Sequence, residues 1–445
     1  MLKKPYYFFL IIFIFFVGAI FVYMHQGKDY PITNAKTVHI IKEQNSFQLI
    51  RNGKPFYIKG ASGKSYIKEL SEAGGNTLRL YDTINLQKIL DEATKYNIAV
   101  IVDIPLPRFN NYVNFYSDTE FKKVTKIKVK NLIYKYKNHP SLLMWNIGNE
   151  LTYPLPINNK RKKFINFFNE LIDLIHEEDK NHPVSTTLEG PFMKQAFKIN
   201  RFSPNIDLIG YNVFSMIEKV KLNQNKLSYI TSTVPYFISE WGVNGPWEAS
   251  KNNWMAILEQ PSTEKGAEYK DVYNKYIKTD NQCLGSLAFY WGYKEEGTPT
   301  WFNIFDKSGK KSQSYYSLKE VWSDSLFNNI GPPLIEEIKI NGKSDNNLVF
   351  NVAENVMAEI LINPINGQEL EFKWEIYESG WKNKGWKLNN ELNAFVFQKN
   401  AINTSKVKII MPKKEGAYRI FVYVYDVHNN FASANIPFYI LNQNE

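Results

Sequence analysis

Two glutamates of this chain each stand at the end of an apolar run: Glu150 closes SLLMWNIGNE, and Glu240 follows YFIS in PYFISEWG. Leu142, Leu143, Met144, Trp145 and Ile147 suit a strand buried on both faces, with Gly148 expected to break it. Both carboxylates then fall at the C-terminal ends of strands, where α/β folds bind ligands and carry out reactions. One such group suggests acid–base or nucleophilic work and proves neither. Two across one opening meet the needs of glycosidic bond cleavage, in which one protonates the leaving oxygen and the other attacks the anomeric carbon. Asp103, at the end of IAVIVDI, is expected at the same mouth without an assigned role, and Asn212 in GYNVF is expected to touch sugar. His176 and His182 are too far apart for a metal pair on one helix face, and there is no glycine-rich phosphate loop. The reading therefore includes no metal and no cofactor.

The elements that must position these groups repeat. Short apolar runs at 56–60, 76–80, 98–104, 142–147, 183–188, 207–213, 235–240 and 284–291 alternate with amphipathic stretches such as NLQKILDEATKY (85–96) and KFINFFNELIDLIHEE (163–178). Eight βα units over residues 51–325 have the size of a (β/α)8 TIM barrel, whose strand ends converge on one mouth. Glu150 would end its fourth strand and Glu240 its seventh. Ahead of it, residues 27–50 read as a tether with short strands, and Asn52-Gly53 reads as a hairpin turn. After Gly331-Pro332-Pro333, residues 331–445 read as strands and turns without helical period, an all-β, immunoglobulin-like sandwich.

N-E after strand four, S-E-W-G at strand seven and Trp291 on strand eight resemble the clan A glycoside hydrolases, and WNIGNE with ISEWG most resembles the barrel of family 2. The resemblance spans roughly residues 50–322. It implies a retaining mechanism, with Glu150 as acid/base and Glu240 as nucleophile. It also implies that Asn149 bonds the sugar 2-hydroxyl, that Arg79 in NTLRLYD keeps the nucleophile ionised, and that Trp291 floors the sugar site. Two departures stand out. Family 2 enzymes usually carry two β domains ahead of the barrel, for which there is no room here. The tyrosine that often ends strand six and bonds the nucleophile is replaced by Phe214, while Tyr211 should point to the other face. KGASG and RLYD also resemble family 72 glucanosyltransferases, so transfer to a second sugar stands beside hydrolysis. A non-catalytic carbohydrate-binding barrel is the alternative of another class.

Lys3 and Lys4 precede an uncharged run, residues 6–24, close to the roughly 20 residues that span a bilayer. Residues 1–26 read as an uncleaved signal anchor with the rest exported, ahead of a cleaved signal peptide as the alternative. A net charge of +10 comes from scattered lysines with no binding module among them, which excludes nucleic acid as the expected partner. The expected partners are a poly- or oligosaccharide and a membrane; the sequence sets no oligomeric state. Aromatics make up 15% of the chain, and most are core, with Tyr293 and Trp301 as further candidates for sugar stacking. The lone Cys283 forms no internal disulfide and reads as a buried small hydrophobe.

Overall fold

Eight runs of Val, Ile, Leu and aromatic residues, too short for helices and buried throughout, need hydrogen-bonded neighbours on both edges. A closed barrel supplies them without leaving an edge. In the computed structural model the described residues are 4–25, 28, 37–43, 46–110, 112, 115–232, 234–323, 331–363, 369–378, 394–395 and 404–442. Among them, eight parallel strands close into the expected barrel: Ile58–Gly63, Thr77–Leu80, Ala99–Ile104, Leu142–Asn149, Val184–Glu189, Leu208–Asn212, Tyr236–Trp241 and Cys283–Trp291. They are called strands one to eight below. All six residues of strand three are buried, and all six of strand seven. Helices follow the strands, and Asn159–Glu178 turns Phe164, Phe167, Phe168, Leu171 and Ile175 inward as its spacing predicts.

The chain forms two compact units: Met1–Ser62, Asn76–Trp241 and Tyr276–Ala288 in one, and Gly63–Gly75, Gly242–Lys275 and Phe289–Glu445 in the other. The first unit holds most of the barrel. Ahead of strand one, Val38–Glu43, Ser46–Arg51 and Lys54–Pro55 form a small antiparallel sheet, turned at Asn52 (φ 51°) and Gly53 (φ 74°). Its Val38, Ile40 and Leu49 pack against Ile58, Ala99, Leu208, Phe237 and Leu284, which lie at the N-terminal ends of the strands. That sheet therefore plugs the barrel's bottom. Each of these valine, isoleucine, leucine and phenylalanine side chains contributes roughly 1.5–3 kcal/mol by leaving water.

Residues Lys4–Met24 form one helix, with exposed apolar side chains from Phe9 to Tyr23. Among the described residues no helix is long and apolar enough to cross a membrane. The helix ends on the barrel's bottom: the Met24 carbonyl accepts from Thr231 Oγ1 at 2.7 Å and from the Ser232 N–H at 3.3 Å. Lys28 pairs with Asp207 and donates to the Asn205 carbonyl at 2.9 Å. Apart from His25 and Lys28, the tether HQGKDYPITNAK lies outside the described residues.

In the second unit, strands Leu334–Ile340, Asn355–Asn363 and Lys406–Ile410 form one sheet. Leu348–Asn351, Phe431–Leu441, Gly416–Asp426, Leu370–Glu378 and Ala394–Phe395 form another. Ile338, Val356 and Ile409 of the first share a core with Ile420, Val422 and Phe438 of the second, which makes a β-sandwich. The other face of the larger sheet is buried too. Arg419 bonds the Ile257 carbonyl, the Ser433 N–H donates to Ser262 Oγ at 2.9 Å, and Asn435 Nδ2 donates to Glu259 Oε2 at 2.8 Å. Glu259 also pairs with Lys265 at 2.5 Å, and both are buried.

Candidate active site

Strict alternation would send Asn146 and Asn149 to opposite faces of strand four, yet both serve the interior. The pairing with strand five slips between Asn146 and Asn149, and Gly148 takes φ 69° there. Gly148 is thus a bulge within a strand that runs to Asn149, and does not end it as expected. The extra residue turns Asn149 back into the mouth. Glu150 follows at φ 56°, a left-handed backbone that costs a non-glycine residue roughly 1–3 kcal/mol and marks sites held by their surroundings. A second slip, between Ile238 and Glu240 on strand seven, brings both Ser239 and Glu240 to bear on Arg79.

Arg79 is the hub, fully buried on strand two. Its Nε and Nη2 grip Asp103 Oδ1 and Oδ2 at 3.1 and 2.7 Å. Nη2 also donates to Asn149 Oδ1 at 2.8 Å. Nη1 donates to Glu240 Oε1 at 3.2 Å, and to Asn212 Oδ1 and the Ser239 carbonyl at 3.3 Å each. Burial alone would lower the Arg79 pKa, but Asp103, Tyr81 and Glu240 outweigh it and raise it. The cation is therefore fixed. Burial pushes the Asp103 carboxyl upward, while Arg79 and Asn146 pull it down. One guanidinium thus faces two carboxylates, which leaves part of the Glu240 charge to be met elsewhere.

Tyr81 meets it. Its hydroxyl donates to Glu240 Oε1 at 2.8 Å, and burial, then the Glu240 charge, hold the phenol well above its ordinary pKa. It remains a proton donor. Glu240 itself is 6% exposed. Across the mouth, Glu150 Oε1 accepts from Asn212 Nδ2 at 2.9 Å, and Glu150 Oε2 pairs with Arg108. Asn212 Nδ2 also reaches Asn149 Oδ1 at 3.1 Å, and its Oδ1 accepts from Ser239 Oγ at 2.9 Å. One asparagine and one guanidinium therefore link the two glutamates.

Of the residues predicted from sequence, Arg79, Asn149, Glu150, Asn212 and Glu240 converge, and Asp103 gains a role as the anchor of Arg79. Trp291 does not join them. It is fully buried in the second unit, packed against Phe305, Tyr315 and Trp322, with its Nε1 donating to the Tyr66 carbonyl at 3.0 Å. That packing leaves no ring face on which a sugar could stack. Trp301 is also buried, and Tyr293 donates to Glu295 at 2.5 Å. Tyr211 points outward as expected and takes a bond from Gln224, and Phe214 is buried. The phenol that the family pattern sets on strand six comes here from Tyr81, past the end of strand two. Tyr81 stands two residues from Arg79 in RLYD, a same-face spacing that could have revealed it. Arg108 follows a proline-rich loop and had no such signal. His176 bonds Asp207 at 2.8 Å and His182 bonds Asp179 at 2.9 Å, so each histidine has its own carboxylate.

Residues 75–290 match the family described as glycosyl hydrolases family 2, TIM barrel domain. A putative beta-glucuronidase of Formosa agariphila is 24% identical over 243 residues, which cover 46% of this chain and 28% of that protein. The human beta-glucuronidase is 26% identical over 136 residues, covering 26% of this chain and 19% of its own. The matches thus span less than a third of these relatives' length. Among solved structures, the β-glucuronidase of Dictyoglomus thermophilum superposes with a TM-score of 0.51 at 18% identity, over 65% of this chain and 54% of that one. This last likeness concerns the fold alone. In motif and in family match, residues 75–290 are similar to the TIM-barrel domain of glycosyl hydrolase family 2, and the fold agrees.

Proposed function

We propose that this protein is a retaining β-glycosidase that cleaves β-linked poly- or oligosaccharide by double displacement. The observation that carries this reading is the asymmetry of the two glutamates. Glu240 is buried, with one oxygen held by both Arg79 and Tyr81, while Glu150 stands more open across Asn212. A carboxylate bound to a fixed cation and a phenol is held ionised and aimed, as a nucleophile requires. Glu150, protonated, gives its proton to the leaving oxygen as Glu240 attacks the anomeric carbon. It then takes a proton from the water that releases the glycosyl group. Asn149, bonded to Arg79 and Asn212, is placed to hold the sugar 2-hydroxyl. The two carboxyl groups are expected about 5–5.5 Å apart, the separation of retaining enzymes.

The names of the curated relatives make β-glucuronides the first sugars to try, beside β-glucans, β-mannans and β-galactans. The test is product analysis by NMR on such a panel with the chain from about residue 37 onward. First release of the retained anomer supports the reading, and first release of the inverted one defeats it. Products longer than the substrate would reveal transfer to a second sugar by the same two groups. We also propose that Lys4–Met24 anchors the protein in a membrane with the barrel outside the cytoplasm. What supports this reading is the sequence, in which Lys3 and Lys4 precede the uncharged run of residues 6–24. Removal of residues 1–26 should move the protein from the membrane to the soluble fraction; an unchanged distribution would count against the anchor.

A further inference from the structure

Arg108 differs from the rest of the site. Its side chain is 54% exposed, yet the residues on either side of it are bonded to the barrel's other segments. Pro107 precedes it, and the Pro107 carbonyl takes the Tyr116 hydroxyl. The next residue, Phe109, donates its N–H to the Leu151 carbonyl at 2.9 Å, one position beyond Glu150, and its ring packs on Phe164. Arg108 is therefore set beside Glu150 by the backbone and not by chance of a long side chain. Glu150 is bonded differently on its two sides. Oε1 faces Asn212 and, through it, the Arg79–Glu240 side where the sugar is attacked. Oε2 faces outward to Arg108. Since Glu150 protonates the leaving group in the reading above, Arg108 lies on the leaving-group side.

The pairing conflicts with that role. A guanidinium on Oε2 and an amide on Oε1 both favour the carboxylate, whereas the first step needs the acid. Of the groups bonded directly to Glu150, Arg108 is charged and Asn212 is not; Arg79 and Glu240 lie one bond further on. Something negative must draw Arg108 away. We propose that Arg108 is a specificity-determining residue that exchanges Glu150 for an anionic group, a carboxylate or sulfate, on the unit that leaves. Acidic saccharides would then be favoured, because they free the acid more readily than neutral ones. The proposal rests on the glycosidase reading and adds a requirement on the leaving-group side, distinct from the sugar that is attacked.

The test compares two aryl β-glycosides of one sugar, with leaving phenols of equal acidity, one neutral and one bearing a carboxylate; a sulfonate analogue covers the other anion. The full chain should favour the anionic aglycones by about tenfold in kcat/KM, the size of one partly exposed charge-assisted contact. Arg108→Gln should lose that preference, the ratio of kcat/KM on the anionic to the neutral glycoside falling to about one. Arg108→Lys should keep part of the preference, and equal melting temperatures would show that all three fold alike. No preference in the wild type, a preference that survives R108Q, or equal loss on both substrates overturns the inference and leaves the glycosidase reading standing. Failure of the wild type on every β-glycoside overturns both.

Discussion

At the scale of the residue, the site is a shared set of hydrogen bonds around one guanidinium. Tyr81→Phe removes the phenol that donates to Glu240 at 2.8 Å and leaves Arg79 in place. A charge-assisted bond of this kind is worth roughly 1.5–3 kcal/mol, so kcat should fall roughly 10- to 100-fold. Steady-state rates beside a thermal melt check it: a lowered melting temperature with unchanged kcat would make the phenol merely structural. Glu240→Ala should abolish turnover, and azide should restore it with inverted products. Glu150→Ala should spare substrates with good leaving groups, and azide should there give the retained product. Azide rescue in neither variant would remove both glutamates from the chemistry. The glutamates were legible because each sits at the end of an apolar run, and Arg79 through the family resemblance of NTLRLYD. Tyr81 went unread although its spacing from Arg79 set it on the same face, and its partner Glu240, 159 positions away, is joined to it only by barrel closure. Trp291 misled in the other direction. An aromatic at a strand end reads the same whether it faces a sugar or packs beneath the surface.

At the scale of the element, all eight strands were visible, with ends displaced by three residues at most. The bulges at Gly148 and before Glu240 were not visible as bulges, because a slip of register depends on the neighbouring strand. The turn between helix Asn159–Glu178 and strand five shows how such ends are fixed. Asp179 there accepts from Trp145 Nε1 at 2.8 Å, from the Asn181 N–H at 2.9 Å and from His182 Nδ1 at 2.9 Å. Burial alone would raise its pKa, but the bonds and charge of His182, then Trp145 and Asn181, bring it below the ordinary value. A carboxylate with a depressed folded pKa stabilises the protein above its unfolded pKa of about 3.9, and this stability is lost as pH falls through the folded value. Asp179→Asn should lower the melting temperature at pH 7 and narrow its gap to the wild type as the pH drops below about 4. A gap independent of pH would assign the effect to shape and not to charge.

At the scale of the whole molecule, the sequence pointed to a β-sandwich after Gly331 but gave no sign of what covers its second face. The cover is polar: Glu259, Lys265, Arg419 and Asn435 are all buried in the second unit. Removing residues 331–445 would expose Glu259 and Lys265 and take Asn435 and Arg419 from that buried ion pair. Breaking such a network costs roughly 3–5 kcal/mol. The shortened chain should therefore melt well below the intact one, in a scan of both by circular dichroism, while any fraction that stays folded keeps its glutamates. An equal melting temperature would make the sandwich an independent attachment.

The bonds from Met24 and Lys28 to residues just ahead of strands six and seven also fix a direction. With Lys4–Met24 in a bilayer, the plugged end of the barrel faces the lipid and the mouth faces away from it. At about 3.3 Å per residue, Glu240 lies roughly 13 Å along strand seven and Glu150 roughly 26 Å along strand four from the plugged end. Under the proposed anchoring, the mouth would reach glycosides away from the membrane and miss the head groups beside the anchor. Glycolipids in the same vesicle should survive while soluble glycosides of the same sugar are consumed. Equal loss of both would mean that the helix does not hold the barrel in this orientation.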